Sequence, residues 1–279
     1  MTGINEYITR LEKYLPLFFL FFIVLGIVLP LPVLAVDILI GFNNILLAIG
    51  ILLIIINAEK ISNVYFLPIF IIFSTISALI TSISSVRIIL INGVNFNGRM
   101  IQNVSNIVAG SENDIRLFIG FGIFVIFTIF IIKEIFKKCF YLRHNTAVWI
   151  LNSWGEKTMA IETDQANGII SEDEAGKMKF IVQQKLDFLG AVDVCTKLIC
   201  GNVKITLFNI AVIIGVGSTI DILLRNSEIM SAIKYYMLLS IGSGILFLLY
   251  TFLLSFAVNL VAVRFITSDN IEYINKYHR

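Results

Sequence analysis

A transporter or an enzyme needs groups that change charge, attack a bond or bind a metal. Asp193 and Lys197 stand four residues apart, the spacing of neighbours on one helix face, so they read equally well as a structural bridge or as residues with a functional role. Glu162 and Asp164 suit a basic partner segment or plain solvation. Asp221 and Arg225 repeat the four-residue spacing and read as a helix-face ion pair worth about 0.3 kcal/mol. Three cysteines, Cys139, Cys195 and Cys200, are an odd count without the spacing of a disulfide framework. Cys195 and Cys200 point to different faces of a helix and have no histidine nearby, so they read as packing thiols and not as metal ligands. His144 and His278 stand alone in basic surroundings. There is no Walker lysine loop, nucleophile elbow or zinc spacing. The sequence therefore predicts no enzyme, no catalytic or metal site and no cofactor.

The elements that carry these residues are apolar. Of 279 residues 58% are hydrophobic and 14% charged, and the mean hydropathy is +0.91, where a soluble domain is about a quarter charged. The chain is read as an all-α integral membrane protein. A bilayer core of about 30 Å needs about 20 apolar residues in a helix, and six runs approach that length: 15–35, 38–57, 64–90, 117–132, 203–224 and 235–263. Pro30 and Pro32 break the first from the second. The fourth is the shortest. The opening stretch lacks a small-residue cleavage site and reads as a retained span.

Basic residues set the orientation. Arg87, Arg99, Arg116, Arg225 and Lys234 fall on one side, and the other sixteen of the 21 Lys and Arg residues on the other. Both termini and the long middle loop are thus predicted to be cytoplasmic. The predicted organisation is a membrane region over 1–132 with spans one to four, a cytoplasmic loop over 133–202, spans five and six over 203–264, and a cytoplasmic tail over 265–279.

The loop has helical grammar. Ser171 followed by Glu174 is a capping box, with Glu172 and Asp173 adding charge to the first turn. Asn167-Gly168 reads as the turn before it. Met178, Ile181, Val182, Lys185 and Leu189 fall on one face, which is expected to pack on the inner ends of the spans or on a neighbouring subunit. In the third span Ser74, Ala78, Thr81 and Ser85 share a face that lets helices approach and hydrogen-bond across a seam. Arg87 is placed at the outer interface, with its charge reaching the headgroups.

The stretch "KTMAIETDQANGIISEDEAGKMKFIVQQKLDFLGAVDVCTKLICGN" resembles the cytoplasmic loop signature of the FHIPEP (FlhA/InvA) family, the export-gate membrane proteins of flagellar and virulence type III secretion. Lys157, Met159, Ile161, Asp164, Gly168, Ile170, Ala175, Gly190, Asp193, Lys197 and Gly201 fit it in register. "LPLPVLAVDILIGFN", "FSTISALITSISSVRIIL" with Arg87, and "YMLLSIGSG" with Gly242 and Gly244 resemble further blocks of the family in the same order.

The departures are chemical. Asn152, Asn202 and Ser243 stand where the family pattern has acids, Ala78 replaces an arginine, and Leu248 and Tyr250 replace a glutamine and a proline. Family members are thought to couple the proton gradient to export, and an intramembrane acid with a raised pKa is the natural carrier. The resemblance implies an inner-membrane component of a type III export apparatus, multi-pass with both termini cytoplasmic. It also implies the membrane half alone, divergent and shortened, without the cytoplasmic cargo-binding domain. The partners it implies are other export-apparatus membrane proteins, further copies or a full-length relative, and the lipid bilayer, with no nucleic acid. A non-transporting assembly or regulatory subunit, a degenerate remnant and a small solute transporter are the competing readings.

Overall fold

The computed structural model describes residues 31–57, 67–110 and 114–277. Every long element there is a helix: α1 (Val33–Asn57), α2 (Leu67–Asn92), α3 (Arg99–Ala109), α4 (Asp114–Trp149), α5 (Gly155–Ala166), α6 (Glu172–Val212), α7 (Ser218–Leu224) and α8 (Ile229–Tyr277). One turn of 3-10 helix follows α2 at Gly93–Asn95, and π-helical turns at Ile150–Trp154 and Ile213–Gly217 join α4 to α5 and α6 to α7. No strand occurs among the described residues.

Five of these helical stretches are long and apolar enough to cross a membrane: Val33–Leu53, Pro68–Asn95, Ile115–Ala166, Glu172–Leu224 and Ile229–Val263. They overlap the second to sixth predicted spans. Most of the first predicted span, and His278, lie outside the described residues. Pro32 opens α1, its carbonyl accepting from the N–H groups of Ala35 at 3.0 Å and Val36 at 3.2 Å. Leu34, Ile38, Ile45, Ile49 and Leu52 then form an exposed apolar stripe on α1. A stripe of large apolar side chains facing outward suits lipid and not water.

The two helices that flank the middle segment are longer than a span. α4 has 36 residues and α6 has 41, lengths of about 54 and 62 Å at 1.5 Å per residue, against a bilayer core of about 30 Å. The positions at which spans were expected to give way to loop, near residues 132 and 203, fall inside α4 and α6. The middle segment is thus a helical hairpin continuous with its two spans.

The described residues form two compact units, one within 1–47, 73–130 and 202–250, the other within 48–72, 131–201 and 251–279. In the first, Val36, Ile40, Ile89, Phe96, Ile101, Ile213, Tyr236 and Leu239 share one apolar cluster, and Ala109, Phe124 and Ile241 a smaller one. In the second, Ile161, Ala175 and Val182, with Ile170 and Met178 against them, form a core between α5 and α6.

α3 was not foreseen. It falls in the segment read as an outer loop, yet Ile101, Ser105 and Ala109 bury one face of it. That face meets α8 at Gly242, where an added Cβ would come within 2.2 Å of the Ile101 carbonyl oxygen and of Ser105 Oγ. It meets α4 at Gly120, within 2.6 Å of Ala109 Cα. Glycine at both crossings lets the backbones touch.

Candidate functional site

Small hydroxyls on α2 organise the interior of the first unit. Ser74, Thr75, Thr81, Ser82, Ser84 and Ser85 are all buried there, and Ala78 sits among them. The face predicted from Ser74, Ala78, Thr81 and Ser85 is therefore a packed seam. From α1, Asn43 donates through Nδ2 to Thr81 Oγ1 at 3.0 Å, and its Oδ1 accepts from Ser77 Oγ at 2.6 Å. From α6, Asn209 Nδ2 donates to Ser82 Oγ at 2.8 Å. From α8, the Tyr250 hydroxyl donates to the Ser74 carbonyl at 3.0 Å and lies against the Ser74 hydroxyl. Four helices are thus tied to one another by neutral hydrogen bonds, which in membranes average about 0.6 kcal/mol each.

Ser243 faces the same seam. Together with Ser82, Ser85, Thr206 and Asn209 it lines a pocket too tight for water, and its Oγ donates to the Ser240 carbonyl at 3.3 Å. The glycines on either side fit close neighbours: Gly242 meets α3, and a Cβ on Gly244 would lie 2.5 Å from the Phe124 ring and 2.9 Å from Ile210. Asn202 is buried in α6, with its carbonyl accepting from Thr206 Oγ1 at 2.9 Å. Asn152 is exposed in the π-turn after α4 and belongs to the second unit. The seam can lock helices but offers no carboxylate to take up a proton.

At the end of the first unit that carries Gly93, charge is used to seal helix ends. Both carboxylate oxygens of Asp37 accept from the start of α3, from Arg99 N at 2.9 Å and Met100 N at 3.3 Å, an N-cap supplied by another helix. Asp221 is 1% exposed and pairs with Arg225 Nη1, while Arg225 Nη2 donates to the Ile91 carbonyl at 2.7 Å. The four-residue spacing foretold the pair but not the burial of its acid. Gly93 has φ +53 and lies so near the guanidinium that any side chain there would collide with it. Arg87 lies half-buried five residues before the end of α2.

In the second unit the hairpin tip is closed at both ends. Gly168 (φ +70) donates to the Gln165 carbonyl at 3.1 Å, and Ile169 N to the Asp164 carbonyl at 2.9 Å. This pair is a Schellman stop for α5. The capping box then starts α6: Ser171 N donates to Glu174 Oε2 at 3.0 Å, and Glu174 N to Ser171 Oγ at 3.3 Å. Lys179 Nζ bridges back to Glu162 Oε1 at 3.0 Å. Of the predicted loop face, Met178, Val182 and Leu189 turn inward, but Ile181 is 49% exposed. The inward row runs through Ala175, Met178 and Val182, a quarter-turn away.

Farther from the tip, Asp193 holds Lys197 Nζ at 2.7 Å through Oδ2 and Arg143 Nε at 3.4 Å through Oδ1. The helix pair read from sequence is thus part of a three-residue cluster tying α4 to α6. Arg143 carried no sequence signal, because it comes from another element. Lys138 lies over the Phe252 and Phe256 rings of α8, 4.5 and 4.7 Å from their centroids. Lys157 lies 5.3 Å over Trp149. Met159 is exposed, and Gly190 and Gly201 face open space. The three cysteines are free: the Cys195 thiol donates to the Pro68 carbonyl at 3.5 Å, and the thiols of Cys139 and Cys200 meet across α4 and α6.

Comparison with known proteins places this architecture among named relatives. The model of the FHIPEP family matches residues 23–274. The flagellar biosynthesis protein FlhA of Borreliella burgdorferi is 33% identical over 255 residues, covering 90% of this chain and 36% of its own length. FlhA of Treponema pallidum is 33% identical over 242 residues, 87% of this chain and 34% of its own. FlhA of Salmonella typhimurium is 28% identical over 247 residues, 88% and 35% respectively. The chain spans about a third of the length of these relatives. No solved structure matches.

Proposed function

The chain belongs to the FHIPEP family, and we propose that it is an inner-membrane component of a flagellar or virulence type III protein export apparatus. The observation that carries this reading is the family match over nearly the whole described chain, together with relatives whose names assign them to flagellar biosynthesis. The retained motif residues support it by what they do here. Gly242 and Gly244 permit close helix crossings, Gly168 stops α5, and Asp193 with Lys197 joins the cluster at the hairpin base. In this reading both termini and the hairpin face the cytoplasm, as the distribution of basic residues suggests. The partners are the other membrane proteins of the apparatus, with further copies of this chain or a longer relative beside it.

Within that apparatus the chain acts as a packing and assembly subunit and not as the proton carrier. This second reading rests on Asn202 and Ser243, neutral and buried at positions where the family pattern has acids, and on the closed, uncharged seam around Ser243. An amide or hydroxyl can hydrogen-bond but does not gain and lose charge across physiological pH. The experiment for membership is fractionation of the assembled export apparatus from cells carrying the epitope-tagged chain. Enrichment with the apparatus is expected. A chain spread evenly through the membrane, with none in the purified apparatus, contradicts the proposal.

A further inference from the structure

The inner end of α4 carries a face that no other part of the described chain covers. Past the apolar run that ends at Ile132, Lys133, Phe136, Lys137, Phe140, Tyr141 and His144 are all exposed, and at 100° per residue they share one side of the helix. Ile135, Cys139, Leu142 and Thr146 fill the opposite side and are buried. The exposed side is aromatic and basic together. Phe140 is 74% exposed, a poor surface to leave in water. Among the described residues neither Lys133 nor Lys137 meets a carboxylate, whereas Lys138, about 100° round the helix from Lys137, is held over two phenylalanine rings.

The length of the span decides what lies against this face. Residues 117–132 give about 24 Å of helix at 1.5 Å per residue, short of a core of about 30 Å. α4 continues without a break to Trp149, so the core reaches roughly one turn beyond Ile132. Lys133 then starts inside the hydrocarbon boundary and extends its ammonium outward to the phosphate layer. Lys137 reaches the same layer directly. Phe136, Phe140 and Tyr141 sit at headgroup depth, where amphipathic and aromatic side chains gather.

We propose that this face binds anionic phospholipid, with the Lys133 and Lys137 ammonium groups on the lipid phosphates and Phe136, Phe140 and Tyr141 among the glycerol and upper acyl groups. The charge of the face fixes the class of lipid. Lys133 and Lys137 outnumber Glu134, the acid of the same turn, and each lysine favours a headgroup with net negative charge over a zwitterionic one by about 1 kcal/mol, or about fivefold.

The test uses the full chain in single-copy nanodiscs of mixed phosphatidylglycerol and phosphatidylcholine. Native mass spectrometry of the released protein counts the retained lipids of each kind. Retained phosphatidylglycerol is expected to predominate, and to fall severalfold in the Lys133→Gln/Lys137→Gln double variant. Lys177→Gln, which removes an exposed charge near the hairpin tip, should leave the ratio unchanged. Hydroxyl-radical footprinting of the unaltered chain supplies a second reading: Phe140 and Tyr141 should be shielded while Phe180, exposed on the hairpin, is labelled. Unchanged phosphatidylglycerol retention in the double variant, an equal loss in Lys177→Gln, or labelling of Phe140 as strong as that of Phe180 overturns the proposal.

Discussion

Gly242 on α8 lies so close to Ile101 on α3 that a Cβ would stand 2.2 Å from the Ile101 carbonyl oxygen. No rotamer relieves a clash with backbone, so Gly242→Ala must push the two helices apart. Overpacking of this kind costs about 1–3 kcal/mol. Gly190→Ala meets nothing within 4 Å and should be neutral or stabilising by about 0.5–1 kcal/mol through helix propensity. Thermal unfolding of the two variants in detergent should show Gly242→Ala destabilised and Gly190→Ala not. Equal stability would remove the close crossing as the reason for glycine at 242.

The Asp221–Arg225 pair should respond asymmetrically. Asp221 is buried, while the Arg225 side chain is 32% exposed and keeps the Ile91 carbonyl as a partner. Arg225→Ala strands a buried carboxylate, a loss of about 3–5 kcal/mol. Asp221→Ala leaves a cation that water can still reach, and should cost less. The double variant is expected to be more stable than Arg225→Ala alone. The three melting temperatures check the order.

At the hairpin tip, Ser171→Ala removes the hydroxyl that accepts from Glu174 N. A lost N-cap costs about 1 kcal/mol, and because the tip has its own small core the effect should stay local. Hydrogen exchange at residues 172–176 is expected to quicken about fivefold, with the membrane helices unchanged. A global change in exchange would show that the tip does not open by itself.

Asn43 both donates to and accepts from α2, through Thr81 and Ser77. Asn43→Leu leaves both hydroxyls without that partner, and about 1 kcal/mol of stability should go with it. Asn43→Asp places a charge in the seam, and should fold less well than the leucine variant. Folded yield after detergent extraction distinguishes the two.

Much of this was legible in the sequence because it depends on neighbours along one helix. The capping box at Ser171, the turn at Gly168, the pairs at Asp193 and Asp221 and the polar face of α2 all follow from spacings of three or four residues. What escaped depends on contacts between distant segments. α3 reads as loop because Asn103 and Asn106 interrupt its apolar residues, and only Gly242 and Gly120 reveal that its other face is buried. Asp37 gives no sign that it caps a helix 62 residues away, nor Arg143 that it joins Asp193. Ile181 shares the stripe by periodicity but stays exposed within this chain, because periodicity fixes a stripe's width less well than its direction. The partner helix takes the Ala175–Val182 edge instead.

In the function proposed above, this FHIPEP chain packs helices around a neutral seam and carries no protons itself. Proton flux into liposomes holding the purified, unmodified chain, followed with an entrapped pH-sensitive dye under an imposed potential, tests it most directly. A rate indistinguishable from that of empty vesicles is expected, since Asn202 and Ser243 are neutral and Asp221, a buried acid of the first unit, is held by Arg225. A robust flux that scales with the amount of protein would contradict it.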